Sequence, residues 1–307
     1  MPEEAGGSGG DLADACALLQ VAGRFAAPVP LAETGMLAGW ALASAGLPLP
    51  KAPATVGVGH RDDIVQLKGG PGTWRLTARL AMVPWAAESE RIVLVTAIDG
   101  QPHVVSAARN ALEILPGRNL AGEPRDTVTC HDLAIADDTV ATAPAGVTPA
   151  ALAVRGALGR AALMAGALER VLELSVTYTG QREQFGRPIS RFQAVQQHLV
   201  RVAEEAVSAR MAVATAAQNA DPEPDAFDVA AAKVVTSEAA TTASRAAHQA
   251  HGAIGMTKEY ELGQLTRRLW SWRQEFGSDK HWSQELTRQM GDADAMWPRI
   301  ATGLMRG

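Results

Sequence analysis

Only two cysteines, Cys16 and Cys130, occur in 307 residues. Two thiols build neither a disulfide framework nor a cysteine-based structural zinc site, and such sparing use fits a reducing, cytosolic compartment. Aromatic residues are also scarce, at 5%, so alanine and aliphatic side chains must do most of the packing. Neither sign of charge dominates: 28 Lys+Arg stand against 33 Asp+Glu, a formal net charge of −5. The chain therefore has no overall basic excess of the kind nucleic-acid-binding domains carry. No run reaches the roughly 18 uninterrupted apolar residues of a membrane-spanning helix. The opening MPEEAGGSGG has no basic segment and no apolar core, so it does not read as a signal peptide. What is present, 47% hydrophobic and 20% charged residues, is the composition of a soluble intracellular protein of enzyme size, long enough for about two domains.

Periodicity divides the chain into three zones, 1–50, 51–145 and 146–307. In the first, Leu12, Ala15, Leu19 and Ala22 recur at helical spacing; Pro28 and Pro30 interrupt the helix. A short second helix follows, with Leu37, Trp40 and Ala41 on one side. The middle zone alternates. Trp74, Leu76, Ala78, Leu80 and Met82 fall on one face of a strand, and IVLVTA and HVVSAA flank an Asp99-Gly100 turn. This predicts a compact antiparallel sheet domain. The third zone predicts helices over about 150–178, 190–219, up to His251, over 258–275, and from Ser278. Gly252 serves as a C-terminal cap, and DPEPD (221–225) is a break. Gly156, Gly159 and Gly166 would each cost a helix about 1 kcal/mol, which close helix–helix approach would explain. GGPGTW (69–74) precedes a strand rather than opening a helix, so a phosphate-binding role is not expected.

The segment YTGQREQFGRPISRFQAVQQHL (178–199) gathers Arg182, Arg187 and Arg191 where one helix ends and the next begins. Guanidinium groups at such a joint suit bidentate binding of phosphate, with Phe185 beside them for an adenine ring. A solvated inter-helix loop is the alternative on spacing alone. Ser190 and Gln193 fit a capping box. His248 and His251 form H-x-x-H, but no E-x-x-H occurs in the chain, so surface or inter-helix hydrogen bonding is expected rather than metal binding. Trp270, Trp272 and Trp282 are expected to pack or to form a subunit interface.

R-E-Q-F-G-R-P-I-S-R-F-Q (182–193) resembles the signature R-x-Q-F-G-x-P-I-x-x-F-Q of the acyl-CoA dehydrogenase family. QAHGAIGM (249–256) is similar to the family's Q-x-x-G-G-x-G-Y motif, EYELGQLTRR (259–268) resembles its charged helix, and residues 22–48 resemble its helical domain. The resemblance implies a mainly α fold with an inserted antiparallel β domain and a C-terminal four-helix bundle, and it implies FAD. In that family the bundle of one subunit reaches over the adenosine-diphosphate end of a neighbour's FAD. Carried over, Arg182 would meet the pyrophosphate and Phe185 the adenine. Gln184, in the same motif, counts among the cofactor contacts. Gln193 and Gln249 would hydrogen-bond the cofactor, and Gly252 and Ala253 would allow close backbone approach. Ala253 replaces the motif's second glycine.

The catalytic half departs from the pattern. The family's reaction needs a carboxylate to remove an α-proton while the flavin takes the β-hydride. The usual glutamate position falls on Phe276, and the alternative one, on the first bundle helix, falls on Gly156. Glu275 is adjacent, but one helical residue is about 100° of rotation, so it would point elsewhere unless the loop is remodelled. The flavin-side strand reads Met82-Val83-Pro84, and 51–75 holds no T-E-P-x-A-G-S-D stretch. The chain is thus similar to the shorter, non-catalytic subunit of heteromeric α2β2 bacterial acyl-CoA dehydrogenases such as those of steroid side-chain degradation. A partner subunit would bring the base, the thioester pocket and the flavin-ring pocket. Two alternatives stay open: a self-sufficient homo-oligomeric flavoenzyme, monooxygenase-like, on the same fold, and a cofactor-free scaffold subunit.

Overall fold

Asp11 starts the first helix, α1 (Leu12–Arg24). Its carboxylate accepts from the Asp14 N–H at 2.8 Å, and the Asp14 carboxylate accepts in return from the Asp11 N–H. This reciprocal box satisfies backbone donors that the helix leaves free. A computed structural model describes residues 7, 9–57, 63–220 and 223–291. After the prolines the chain re-enters a helix with π-type turns (Ala32–Gly39), which runs into α2 (Trp40–Ser44). Leu37, Ala38, Ala41 and Leu42 are fully buried there.

Eight short strands follow: β1 (Ala54–Val56), β2 (Ile64–Lys68), β3 (Arg75–Pro84), β4 (Arg91–Ile98), β5 (Gln101–Ala108), β6 (Glu113–Leu115), β7 (Arg125–Ala134) and β8 (Val140–Thr142). They form two four-stranded sheets, ordered β1-β4-β5-β8 and β2-β3-β7-β6. All pairs are antiparallel except β1 with β4, which is parallel. The antiparallel sheet domain expected from periodicity is thus built as a two-sheet stack, with one parallel pair. The Asp99-Gly100 turn forms as expected, both residues at positive φ (49° and 80°), as a two-residue hairpin requires. β4 is apolar on both sides because both are covered: Val93 and Val95 face the helices, while Ile92 and Leu94 face the second sheet.

Met82 corrects the strand reading. Leu76, Ala78 and Leu80 are buried, but the β3–β7 register shifts between Leu80 and Val83. Met82 takes φ 57° and is 49% exposed. Val83 occupies the buried place instead. A bulge moves every later side chain to the opposite face.

Helix α3 (Pro149–Gln181) begins with Thr148 as N-cap and Pro149 in its first turn. It is long and apolar enough by composition to cross a membrane, yet 83% of its most apolar window is packed inside the protein. It is a core helix. Gly166 is where α3 meets the α1 backbone: a Cβ there would collide with the carbonyl of Gln20. Gly159 makes ordinary contact with Ala32 and Leu19, and Gly156 faces a side chain rather than a helix.

A tight hairpin of β9 (Glu183–Gln184) and β10 (Arg187–Pro188) leads into α4 (Gln193–Gln218), then α5 (Ala226–His251), α6 (Leu262–Trp272) and α7 (Asp279–Met290). Asp225 caps α5 and Ser278 caps α7. Gly252, φ 63°, ends α5 as expected. The Ser190/Gln193 capping box does not form. Ser190 lies in a 3-10 turn, and the N-cap position of α4 is Phe192, which lends no side-chain acceptor. Of the DPEPD break, Asp221 and Pro222 lie outside the described residues.

Candidate functional site

Helix α3 runs toward the 182–192 hairpin, α4 runs away from it and α5 returns. The sequence-selected residues therefore meet at one end of the bundle. Tyr178 at the end of α3 stacks on His251 at the end of α5, with ring centroids 4.8 Å apart. Arg182, Gln184, Phe185, Gln193, Gln249, Gly252 and Ala253 are all exposed at this end. Arg182 caps α3, its N–H donating to the Tyr178 carbonyl at 2.8 Å. Its guanidinium and that of Arg191 meet no carboxylate among the described residues. Arg187 instead lies over the Phe192 ring, at 4.3 Å.

Phe185 and Gly186 form the hairpin tip with φ 53° and 77°. A phenylalanine at positive φ is uncommon, and this one is 90% exposed, touching only the edge of Phe192. A two-residue turn can hold an aromatic ring out in this way because Gly186 accepts the second positive φ at no steric cost.

The two positions that lack a carboxylate lie against each other. A Cβ on Gly156 would stand within 2.6 Å of three ring atoms of Phe276. The ring also lies under the Arg160 guanidinium, at 5.1 Å. Phe276 itself is at φ 52°, on the loop after α6. Its carbonyl accepts from the Trp282 indole at 2.9 Å, and Gly277, φ 97°, packs on that indole.

Glu275, next to Phe276, is the carboxylate expected to point away from the base position. It turns inward into a buried ionic network. Its oxygens accept from Arg125 Nε and Nη2 (2.9 and 2.7 Å), from Arg160 Nε (2.6 Å) and from Asn119 Nδ2 (3.1 Å). Arg160 also pairs with Glu33 at 2.5 Å. Arg125 reaches Glu123, which binds Arg268 at 3.0 Å and the Trp272 indole at 2.9 Å. Three carboxylates thus meet three guanidiniums between the N-terminal helices, the sheets and the bundle. Burial by itself would raise the Glu275 pKa, but Arg160 and Arg125 reverse this and hold it at about 2. Such a pKa, with four donors on the two oxygens, is poorly matched to general-base work at pH 7.

Lys233, fully buried on α5, closes the same loop. Its Nζ donates to the carbonyls of Arg273 (3.0 Å) and Gly277 (2.8 Å). Burial, opposed by Glu275, lowers its pKa to about 7. Sequence reading missed both Lys233 and the network. Lys233 and Arg160 show only as charges in otherwise apolar helical stretches, Glu123, Arg125 and Glu275 sit in polar runs, and pairing across zones cannot be read from spacing. His248 makes the expected inter-helix hydrogen bond, its Nε2 lying 3.0 Å from Thr266 Oγ1. Trp272 and Trp282 are packed in the core.

The N-terminal helices pack directly on a C-terminal antiparallel bundle, two stacked sheets lie alongside them, and a basic hairpin stands at the bundle end. Residues 151–287 match the acyl-CoA dehydrogenase C-terminal domain. The chain is 32% identical over 262 residues to the acyl-CoA dehydrogenase IpdE2 of Mycobacterium tuberculosis, covering 85% of this chain and 73% of that one. It belongs to the acyl-CoA dehydrogenase family, whose members are FAD-dependent flavoproteins. The fold superposes on the ChsE4–ChsE5 complex of Mycobacterium tuberculosis with a TM-score of 0.87, at 23% identity, covering 95% of this chain and 84% of that one. A variant of the steroid ACAD Tcur3481–Tcur3483 gives 0.84, also at 23% identity, over 96% and 85%.

The bundle end has the chemistry that the dinucleotide half of FAD requires: unpaired guanidiniums, an exposed ring, and open backbone at Gly252. The strand at 82–84 does not suit the flavin ring. Its thioether, isopropyl and pyrrolidine side chains offer no hydrogen-bond donor.

Proposed function

We propose that this chain is the non-catalytic subunit of a heteromeric FAD-dependent acyl-CoA dehydrogenase that introduces an α,β-double bond into a CoA thioester. The observation that carries this reading is the packing of Phe276 on Gly156 beside an ion-paired Glu275. Neither base position bears a carboxylate, and the neighbouring carboxylate is committed to three partners. A second subunit then supplies the base, the thioester pocket and the flavin-ring pocket.

In this reading the chain acts on the cofactor from outside. Arg182 neutralises pyrophosphate charge, Phe185 covers the adenine, and Gln184, Gln193 and Gln249 donate or accept hydrogen bonds. Gly252 and Ala253 let the ligand lie close to the backbone. FAD, when bound, supplies a hydride acceptor. A steroid side-chain acyl-CoA is the substrate class favoured by the likeness to steroid ACAD complexes, and a cytoplasmic location fits the two unpaired thiols.

The test is to purify the chain alone and together with an acyl-CoA dehydrogenase subunit that carries the glutamate, then read flavin absorbance and thioester oxidation. Flavin and activity are expected only in the complex. Stoichiometric FAD with full dehydrogenase activity in the isolated chain overturns the proposal, and a complex that is active but flavin-free overturns it too. Arg182→Ala is expected to lower FAD occupancy of the complex; unchanged occupancy removes the cross-subunit role.

A further inference from the structure

Three rings that the proposed function leaves unused meet beneath the exposed bundle end. Tyr178 is near the end of α3, His251 is the last residue of α5, and Tyr260 precedes α6. Tyr178 and His251 lie nearly flat on one another, 4.8 Å between centroids and 14° between planes. Tyr260 meets both at steeper angles, 5.2 Å from His251 and 6.1 Å from Tyr178.

The stack is held from several sides. His251 is 3% exposed, and its Nδ1 lies 2.8 Å from the Ala247 carbonyl. A carbonyl only accepts, so Nδ1 carries the proton. Burial lowers the pKa of His251 and keeps the ring neutral. Glu261, next to Tyr260, forms a bidentate pair with Arg170 of α3, at 2.8 and 2.9 Å. Gly255 packs so closely under the α5 end that a Cβ there would meet His251 Cβ at 2.9 Å and His248 Nδ1 at 3.3 Å.

Two of the rings adjoin segments that the proposed function uses, and Tyr260 packs against both of those rings. The Tyr178 carbonyl accepts from the Arg182 N–H. His251 directly precedes Gly252 and follows Gln249 by two residues. The two segments belong to different helices, and the exposed side chains of Arg182 and Gln249 make no side-chain hydrogen bond or ion pair among the described residues. A ligand that must touch both loses less ordering free energy when they are fixed beforehand.

We propose that the Tyr178–His251–Tyr260 stack is a positioning device that holds the Arg182 end of α3 and the Gln249–Ala253 end of α5 in one register, so that both reach the same FAD. The inference rests on the cross-subunit reading above.

The experiment uses the reconstituted heteromeric complex and measures FAD affinity by flavin fluorescence, with thermal unfolding of the flavin-free complex followed in parallel. His251→Ala is expected to weaken FAD binding about tenfold through loss of the stack. His251→Phe keeps a flat ring and is expected to restore affinity to within about twofold of the parent. In a double-mutant cycle, adding His251→Ala to Arg182→Ala is expected to weaken binding by less than the product of the two single effects, because part of the histidine's effect runs through the arginine's placement and the rest through the Gln249–Ala253 end. Equal weakening by His251→Ala and His251→Phe, or fully multiplicative effects in the cycle, overturns the proposal. Should His251→Ala fail to fold, Tyr260→Leu, at a half-buried position, is expected to weaken binding several-fold in the same direction; unchanged affinity overturns the proposal. If Arg182→Ala itself leaves affinity unchanged, the cross-subunit reading has failed. If Arg182→Ala weakens binding and the ring variants do not, the positioning role alone has failed.

Discussion

The ring of Phe276 fills the space over Gly156. A glycine in the interior of a 33-residue helix is costly, because the unfolded chain loses more freedom there than at any other residue. Here the missing Cβ is the seat of an aromatic ring from the loop after α6. The two residues are complementary, and neither site is left as an open pocket.

Gly156→Ala tests this complementarity. Alanine favours the helix by about 1 kcal/mol, but overpacking against the ring costs about 1–3 kcal/mol. A lower melting temperature is expected. Adding Phe276→Ala removes the clash, so the double variant is expected to lose less than the sum of the two single changes, read by thermal unfolding of all three.

Glu275→Gln probes the ionic network. Removing one charge leaves Arg125 and Arg160 without their shared carboxylate, and breaking a buried pair costs about 3–5 kcal/mol. The folded pKa of Glu275 is depressed from 4.5 to about 2. Its contribution is therefore fully present above the unfolded value and is lost as pH falls from 4.5 toward 2. Urea titrations at pH 7 and pH 3 should show the gap between parent and variant narrowing at the lower pH. An unchanged gap would count against the network's role.

Lys233→Met addresses the opposite sign. The folded pKa is about 7 against an ordinary 10.5. Between those values the unfolded chain binds a proton that the folded chain does not, so the parent gains stability as pH rises from 7 toward 10.5. Arg160, Arg273, Glu275 and Asp279 are the charged groups acting on Lys233. The variant should lack this alkaline gain, measured by denaturant unfolding at pH 7 and pH 9.5. It also loses the bonds to the Arg273 and Gly277 carbonyls, so faster amide exchange is expected over 273–277.

Phe185→Ala separates surface from stability. With 90% exposure, the ring contributes little to folding, and unfolding free energy should stay within about 0.5 kcal/mol of the parent. Under the proposed function, FAD retention by the heteromeric complex should fall, measured by flavin absorbance after gel filtration. A large stability loss with unchanged retention would mark the ring as structural.

Much of the helical organisation was readable because its signals are local. The α5 stop at Gly252, the Ser278 start and the Asp99-Gly100 turn depend on neighbouring residues alone, and all three formed. Readings failed where the deciding partner was distant or the spacing was offset. Met82 left the buried face because β7 pairs with a register shift. Ser190 was two residues too early to cap α4, since a 3-10 turn intervenes.

The sequence by itself determined the family, the order of elements and the basic hairpin carrying Arg182 and Phe185, because those rest on contiguous residues with strict spacing. By resemblance to the family, it also assigns Phe276 and Gly156 to the positions where a base is expected. Only the tertiary structure decided what surrounds those positions. Glu275 is bound by residues 150 and 115 positions away along the chain, and Lys233 closes the loop from another helix. Pairing of buried charges depends on three-dimensional proximity in a medium of low dielectric constant, where a few ångströms separate a stable ion pair from an unaffordable one; no periodicity along the chain encodes that distance.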